Sequence, residues 1–136
     1  MNTTFLQRAF VGLSFLVSIG MLHAQTMEEM KAWSVDEFAR KMTDQMSTRA
    51  SLSPGQVDQV HAVNLKFAGL VMPVVKGDGD HRSKLSAIKG FDNQRSEELE
   101  IFLGAEQMRQ VRQVQNENRR KMRQRYYERH GSTPPK

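Results

Sequence analysis

Cysteine is absent from this chain of 136 residues. Its absence excludes disulfide bonds, thiol catalysis and cysteine-ligated metal sites in one step. The stability of so small a protein must therefore come from the packing of its secondary structure or from association with another subunit.

Sequence motifs for catalysis are absent as well. The chain contains no His-Glu-x-x-His pair, no Gly-rich phosphate loop and no arrangement that suggests a catalytic triad. We therefore predict that the protein is not an enzyme and needs no cofactor. No segment alternates apolar and polar residues with a period of two, so the sequence also predicts no β-sheet.

Residues 1–24 have the pattern of an export signal. Arg8 precedes an apolar stretch over residues 9–22. That stretch is too short for a membrane-spanning helix, which needs roughly 20 residues. Ala24 ends an acceptable cleavage site, although an uncleaved N-terminal anchor is the alternative.

Cleavage would leave a single domain over residues 25–136, with loose ends at 25–33 and 130–136. The net charge of +5 for the whole chain would fall to +4, because Arg8 is the only charged residue lost.

One helix-opening phrase occurs twice, and its copies are fifty-one positions apart. The first copy is Leu52-Ser53-Pro54-Gly55-Gln56. Ser53 is placed to cap the backbone N–H groups of a helix, and Gln56 is placed to reach back to the cap in a capping box. Leu52 lies where it can pack on Val57 as a hydrophobic staple.

The second copy is Leu103-Gly104-Ala105-Glu106-Gln107. Leu103 takes the staple position and Gln107 the third helical position. Gly104 is at the cap, where it offers no side-chain acceptor. A third helix start follows the same rules, with Ser34 as the cap and Glu37 three residues later.

These starts and the spacing of apolar residues predict an all-α fold of four helices. The predicted helices run from Val35 to Arg49, from Pro54 into the low seventies, from His81 or Ser83 to Phe102, and from Ala105 to Arg129. We expect Pro73 to bend or end the second helix. The third has the least regular pattern, because Gly90 and a polar middle over residues 92–98 interrupt it. The repeat predicts two helical hairpins in a closed or cradle-like arrangement.

The two Leu-x-x-x-Gln helix starts, the export signal, the lack of cysteine and the basic C-terminal helix resemble the Spy/CpxP-like family. That family has a twice-repeated Leu-Thr-x-x-Gln motif, in which Ser53 and Gly104 stand here for Thr. The likeness covers roughly residues 35–125.

The resemblance implies a cradle-shaped homodimer of long helices in the periplasm. Its concave face would bind unfolded or aggregation-prone envelope proteins without ATP. The alternative is a regulatory module that docks on and restrains the periplasmic domain of an envelope-stress or metal-responsive sensor kinase. A third possibility is a structural envelope protein with no client activity.

Residues 109–129 form the most basic segment, with eight basic residues against two acidic ones. A solvated helix face is the simplest interpretation, since arginine stems often cover apolar surface. The functional interpretation is a surface that attracts acidic, partly unfolded chains. Export argues against nucleic acid as a partner, and an anionic membrane surface remains open. The predicted client-binding residues are Arg112, Arg119, Arg120, Lys121, Met122, Arg123, Arg125, Tyr126, Met42 and Met46.

Methionine suits surfaces that accept many apolar shapes, because its side chain is flexible and polarizable. Met42, Met46 and Met122 are therefore predicted to contact clients beside Tyr126 and Tyr127. Packing of these methionines in a core is the alternative, and their burial would exclude this part of the hypothesis.

No metal site is predicted at Asp78, Asp80 and His81. The segment lacks the spacing of a calcium-binding loop, and the sequence has no helical His pair. A solvated loop is the simpler interpretation of these three residues.

Overall fold

The computed structural model describes residues 27–131, which are almost entirely helical. The five helices are α1 (Met27–Met30), α2 (Val35–Ala50), α3 (Pro54–Lys76), α4 (His81–Leu99) and α5 (Ala105–His130). No strand occurs between residues 27 and 131, so the all-α prediction is confirmed for this range. None of these helices is long and apolar enough to cross a membrane. The predicted signal peptide and its cleavage site lie outside the described residues.

The four long helices pack so that each contacts two others. Helix α2 lies against α3 and α5, α4 also lies against α3 and α5, and α1 packs on α3. Their buried apolar residues form two clusters. The motif-end cluster lies near the two repeated phrases and contains Met46, Ala50, Val60, Leu99, Leu103, Met108 and Val111. The cavity-end cluster contains Met27, Met30, Phe38, Ala39, Phe67, Ala68, Val71, Met72, Val75 and Ile88.

The predicted helix starts are confirmed by their hydrogen bonds. Ser34 Oγ accepts from the Glu37 N–H at 3.1 Å, and the Ser34 N–H donates to Glu37 Oε2 at 2.8 Å. Ser53 and Gln56 form the same reciprocal pair at 3.3 and 3.0 Å. Gly104 has no side chain to accept, but its N–H donates to Gln107 Oε1 at 3.1 Å. The second copy of the phrase therefore keeps half of the capping box.

The two copies of the phrase also meet in space through their glutamines. Gln56 Nε2 donates to Gln107 Oε1 at 2.9 Å, and Gln107 Nε2 donates to Gln56 Oε1 at 2.8 Å. Each Oε1 accepts a second bond from the N–H of its own cap residue. The same two amides thus cap α3 and α5 and join the starts of these helices.

Two helix ends differ from the sequence prediction. Pro73 was expected to bend or end the second helix, and it does not end it, because α3 continues to Lys76 with Met72 and Val75 buried on either side of the proline. Helix α4 stops at Leu99 rather than Phe102. Residues 100–103 turn the chain there, and the Leu103 N–H donates to the Leu99 carbonyl at 3.0 Å.

The segment predicted to be loose over residues 25–33 contains a helix instead. Helix α1 forms there, because the side chains of Met27 and Met30 are buried in the cavity-end cluster. Residues 132–136 of the predicted loose C-terminal end lie outside the described residues.

Candidate functional site

A buried cluster of charged side chains lies between α3, α4 and α5. The carboxylate of Asp92 bonds to the guanidinium groups of both Arg95 and Arg119. The side chains of Asp92 and Arg95 are only 6% and 2% exposed. Burial lowers the pKa of the Arg95 guanidinium, and the neighbouring Asp92 opposes that shift. The cluster therefore holds two cations around one buried anion, where charges need partners.

Further hydrogen bonds tie the charged cluster to α2 and α3. Arg95 donates to Asn64 Oδ1 at 3.1 Å, and its guanidinium carbon lies 3.8 Å from the centre of the Phe67 ring. Asn64 Nδ2 donates in turn to Thr43 Oγ1 at 3.0 Å, and Thr43 donates to the Ala39 carbonyl at 2.8 Å. The polar network thus connects all four long helices through their interior.

Sequence reasoning missed this network, because the polar middle of α4 interrupts the apolar pattern of that helix. Asp92 and Arg95 lie between Ile88 and Leu99 at spacings of four, three and four residues. That spacing places all four on one helix face, and all four are buried. A polar pair that continues an apolar stripe was the signal that could have identified the cluster.

A cavity of about 80 Å³ lies beside the charged cluster. Its apolar wall is formed by Met30, Trp33, Phe38, Met42, Phe67, Val71, Ile88 and Met122. Its polar wall is formed by Lys41, Gln45, Asp92, Arg95, Gln115, Asn118 and Arg119. Two buried nitrogen atoms of this wall, Arg95 Nε and Gln115 Nε2, have no hydrogen-bond partner among residues 27–131. The cavity therefore combines an apolar surface with donors that could bind a polar ligand group.

The arginines of the first part of α5 are paired with acids. Arg109 contacts Glu106 at 2.5 Å, Arg112 contacts Glu100, and Arg119 contacts Asp92. Hydrogen bonds from Arg109 and Gln110 lower the pKa of Glu106 to about 2.

The basic residues of the second part of α5 differ from these. Within the described range 27–131, the cations of this helix that form no ion pair or hydrogen bond are Arg120, Lys121, Arg123 and Arg125. All four are exposed or half-buried. We call residues 120–125 the basic segment. It is the largest concentration of unpaired charge on α5.

The structure separates the predicted client-binding methionines. Met46 is fully buried in the motif-end cluster, so the prediction that it contacts clients is wrong. Met42 and Met122 are half-buried and line the cavity. Arg119 is also less available than predicted, because it bonds to Asp92 and its side chain is only 22% exposed.

Tyr126 lies between two histidines near the C-terminus of α5. Its ring stacks on His81 at a centroid distance of 3.8 Å and on His130 at 4.2 Å, and Tyr127 meets it edge-on at 5.6 Å. Burial lowers the pKa of His81, and the charges of His130 and Lys84 add to this shift. The stack fixes the start of α4 against the end of α5.

Asp80 serves as the cap of α4, where its Oδ1 accepts from the Ser83 N–H at 2.9 Å. Three residues were considered as metal ligands in the sequence, and two of them, Asp80 and His81, have structural contacts instead. No group of three His, Cys, Asp or Glu side chains able to hold a metal occurs between residues 27 and 131.

Comparison with known proteins gives one match. Residues 23–130 match the family described as a domain of unknown function, DUF4890. The matched range includes all five helices and therefore both clusters and the cavity. No curated protein and no solved structure matches the chain.

Proposed function

The chain belongs to the DUF4890 family, and from that starting point we propose that it is an exported, ATP-independent chaperone that binds unfolded envelope proteins. The basic segment of α5 would be the surface that captures acidic stretches of these clients. The observation that carries the proposal is the division of α5, whose first arginines are paired with acids while those of residues 120–125 are not.

Unpaired cations on one segment produce a positive potential that raises the encounter rate with acidic chains. Because the basic residues are largely exposed, each contact would be weak and would be screened by salt. Met122 and Tyr127 are half-buried on the same part of the helix and offer apolar surface next to the charges, whereas the Tyr126 ring is stacked between His81 and His130. Capture by charge followed by loose apolar contact fits clients of many sequences.

The proposal includes transport to the periplasm after removal of residues 1–24, and a cradle of two helical hairpins in a homodimer. The two Leu-x-x-x-Gln starts and their resemblance to the Spy/CpxP-like family support this part. The contacts of α2 with α3 and of α4 with α5 are compatible with hairpins. Leu65 and Leu70, exposed by 37% and 40% on α3, offer apolar surface to a second copy.

Suppression of aggregation tests the proposed function. A chemically denatured, unrelated acidic protein is diluted into buffer with the purified protein, without ATP, at low and high salt. We expect suppression at equal to few-fold molar ratios, and we expect high salt to weaken it.

A pair of matched variants tests the site. R120Q/R123Q removes two unpaired charges, whereas R109Q/R112Q removes two paired charges from the same helix. Suppression should fall with R120Q/R123Q and persist with R109Q/R112Q. An equal loss in both variants would show that net charge rather than the basic segment matters. No suppression by the wild type at any ratio would reject the chaperone, and a pull-down with sensor domains would then test the regulatory alternative.

A further inference from the structure

We infer that the cavity beside the Asp92 cluster is a binding site for a small amphipathic carboxylate. Such a ligand has an apolar body comparable in size to a short alkyl chain and one carboxylate head. The charge balance of the cavity wall, its unpartnered donors and its apolar surface lead to this inference. It does not depend on the capture of clients by charge, because the basic residues 120, 121, 123 and 125 do not line the cavity, although Met122 belongs to both surfaces.

The charge balance calls for one more anion. Among the described residues that form the cavity wall, Asp92 is the only acidic one, and it is shared by Arg95 and Arg119. Lys41 lines the mouth as a third cation, with its Nζ 5.0 Å from the centre of the Trp33 ring. The buried Asp92–Arg95–Arg119 cluster has one excess positive charge, which a single ligand carboxylate would neutralise. Lys41 is exposed to solvent, so its charge needs no buried partner.

The donors of the wall suit a carboxylate. Within residues 27–131, Arg95 Nε and Gln115 Nε2 are buried nitrogens without a partner, although Gln115 Oε1 accepts from Ser96 Oγ at 3.1 Å. Arg95 and Gln115 are exposed by only 3% and 4%. Buried donors are rarely left unpaired in native structures, and each such case needs an explanation. A carboxylate has two oxygens, which can accept from Arg95 Nε and Gln115 Nε2 together.

The remaining wall excludes a fully polar ligand. Trp33, Phe38 and Phe67 form its aromatic part. Met30, Met42 and Met122 can adapt their shape to an apolar chain. The cavity volume of about 80 Å³ is several times the space that one water occupies. A molecule of the size of hexanoate therefore fits the cavity better than acetate or a long-chain fatty acid.

Trp33 provides a direct test, because it is the single tryptophan of the chain and lines the cavity. Its fluorescence is measured while the purified protein is titrated with hexanoate, 1-hexanol or acetate. Hexanol matches the apolar body without the charge, and acetate matches the charge without the body. We expect a saturable change in fluorescence with hexanoate, with a Kd below about 1 mM. The affinity for the other two should be at least about tenfold weaker, because each lacks one of the two contacts.

Two variants separate the site from unspecific binding. D92N removes the competing anion, so it should tighten hexanoate binding several-fold and leave hexanol unchanged. Q115M removes an unpartnered donor, so it should weaken hexanoate binding several-fold, whereas Q113M at an exposed position of α5 should not. Q115M retains Asp92 and both arginines, and it keeps the test valid if D92N does not fold.

Three results would overturn the inference. The first is the absence of a saturable change with hexanoate, with calorimetry as a second readout. The second is equal affinity for hexanoate and hexanol, which would show that the charged wall plays no part. The third is an equal effect of Q115M and Q113M, which would place hexanoate elsewhere on the protein.

Discussion

The two ends of the fold bury their side chains with different kinds of contacts. At the motif end, a cluster of seven buried apolar residues lies beneath two capped helix starts that are joined by the Gln56–Gln107 pair. At the cavity end, the apolar cluster adjoins the cavity, a buried group of charges and a stack of histidine and tyrosine rings. The motif end combines an apolar cluster with a pair of neutral amides, whereas the cavity end combines an apolar cluster with buried charges and stacked rings.

This difference indicates a division of tasks between the ends. The motif end consists of buried apolar side chains and pairs its two glutamine amides, as is typical of a region that provides stability. In the described range, the cavity end leaves three buried side-chain nitrogens without hydrogen-bond partners (His81 Nε2, Arg95 Nε and Gln115 Nε2) and exposes unpaired cations on residues 120–125. Features that cost stability are common where proteins bind other molecules.

The largest expected difference between the ends concerns core truncation. Leu99→Ala at the motif end should lower the free energy of unfolding by about 2–5 kcal/mol, because Leu99 is fully buried. Met122→Ala at the cavity end should cost about 1 kcal/mol or less, because Met122 is half-buried beside the cavity. Urea denaturation measures both values. Equal costs would contradict the proposed division.

A smaller effect is expected from the glutamine pair of the motif end. Gln56→Ala and Gln107→Ala should each cost about 1–2 kcal/mol, since each removes bonds to a partner amide and to a cap N–H. The double variant should cost less than the sum, with a coupling free energy of about 1 kcal/mol. Gln59→Ala, at an exposed position of α3, is the control and should be nearly neutral. Strict additivity would show that the amides do not interact in solution.

Substitutions at the cap residues of the two copies of the phrase should change the stability of the protein in opposite directions. Ser53→Ala should cost about 1 kcal/mol, because the hydroxyl that accepts from the Gln56 N–H is lost. Gly104→Ser should stabilise the protein by a few tenths of a kcal/mol, since it would complete the second capping box. A Cβ at position 104 meets only Gln107 Oε1, at an ordinary distance of 3.8 Å. Thermal unfolding of both variants checks the signs, and a lower melting temperature for Gly104→Ser would refute the expectation.

The smallest expected effect is the pH dependence of the cavity end. Because the pKa of His81 is lowered from 6.5 in the fold, the unfolded chain takes up a proton at His81 before the folded protein does. The contribution of His81 to stability is therefore complete above the pKa that His81 has in the unfolded chain. It is lost as the pH falls through the lower pKa that His81 has in the folded protein. His81→Gln should reduce the loss of stability between about pH 7.5 and pH 5.5. Urea denaturation measures the free energy of unfolding at both pH values. If His81→Gln loses as much stability between them as the wild type, this role of His81 is disproved.

The sequence predicted helix starts at both ends of the fold well because their signals are local. A cap, its reciprocal Glu or Gln and the apolar stripe that follows all lie within two helical turns. The starts at Pro54 and Ala105, at the motif end, and at Val35, at the cavity end, were predicted correctly. The meeting of Gln56 with Gln107 was not predicted, since it depends on how the helices pack.

The charged cluster and the ring stack of the cavity end also depend on long-range contacts. The pairing of Asp92 with Arg119 joins residues that are twenty-seven positions apart, and the stack of His81 on Tyr126 joins residues that are forty-five apart. Arg119 lies on the buried stripe of α5, four residues after Gln115 and three before Met122, whereas Arg120 is exposed. The local pattern does not show that Asp92 is the partner of Arg119. Helix α1 was missed for the same reason, because its two methionines are ordered by burial against other helices rather than by helix propensity.

The reciprocal hydrogen bonds of Gln56 and Gln107 limit which substitutions the two positions can accept during evolution. The contact is self-complementary, since each residue supplies the same donor and the same acceptor to the other, as in an isologous interface between two identical subunits. A change to Glu at either position removes one donor and places a carboxylate against an amide oxygen. The two positions should therefore covary among relatives, although fifty-one residues separate them in the chain.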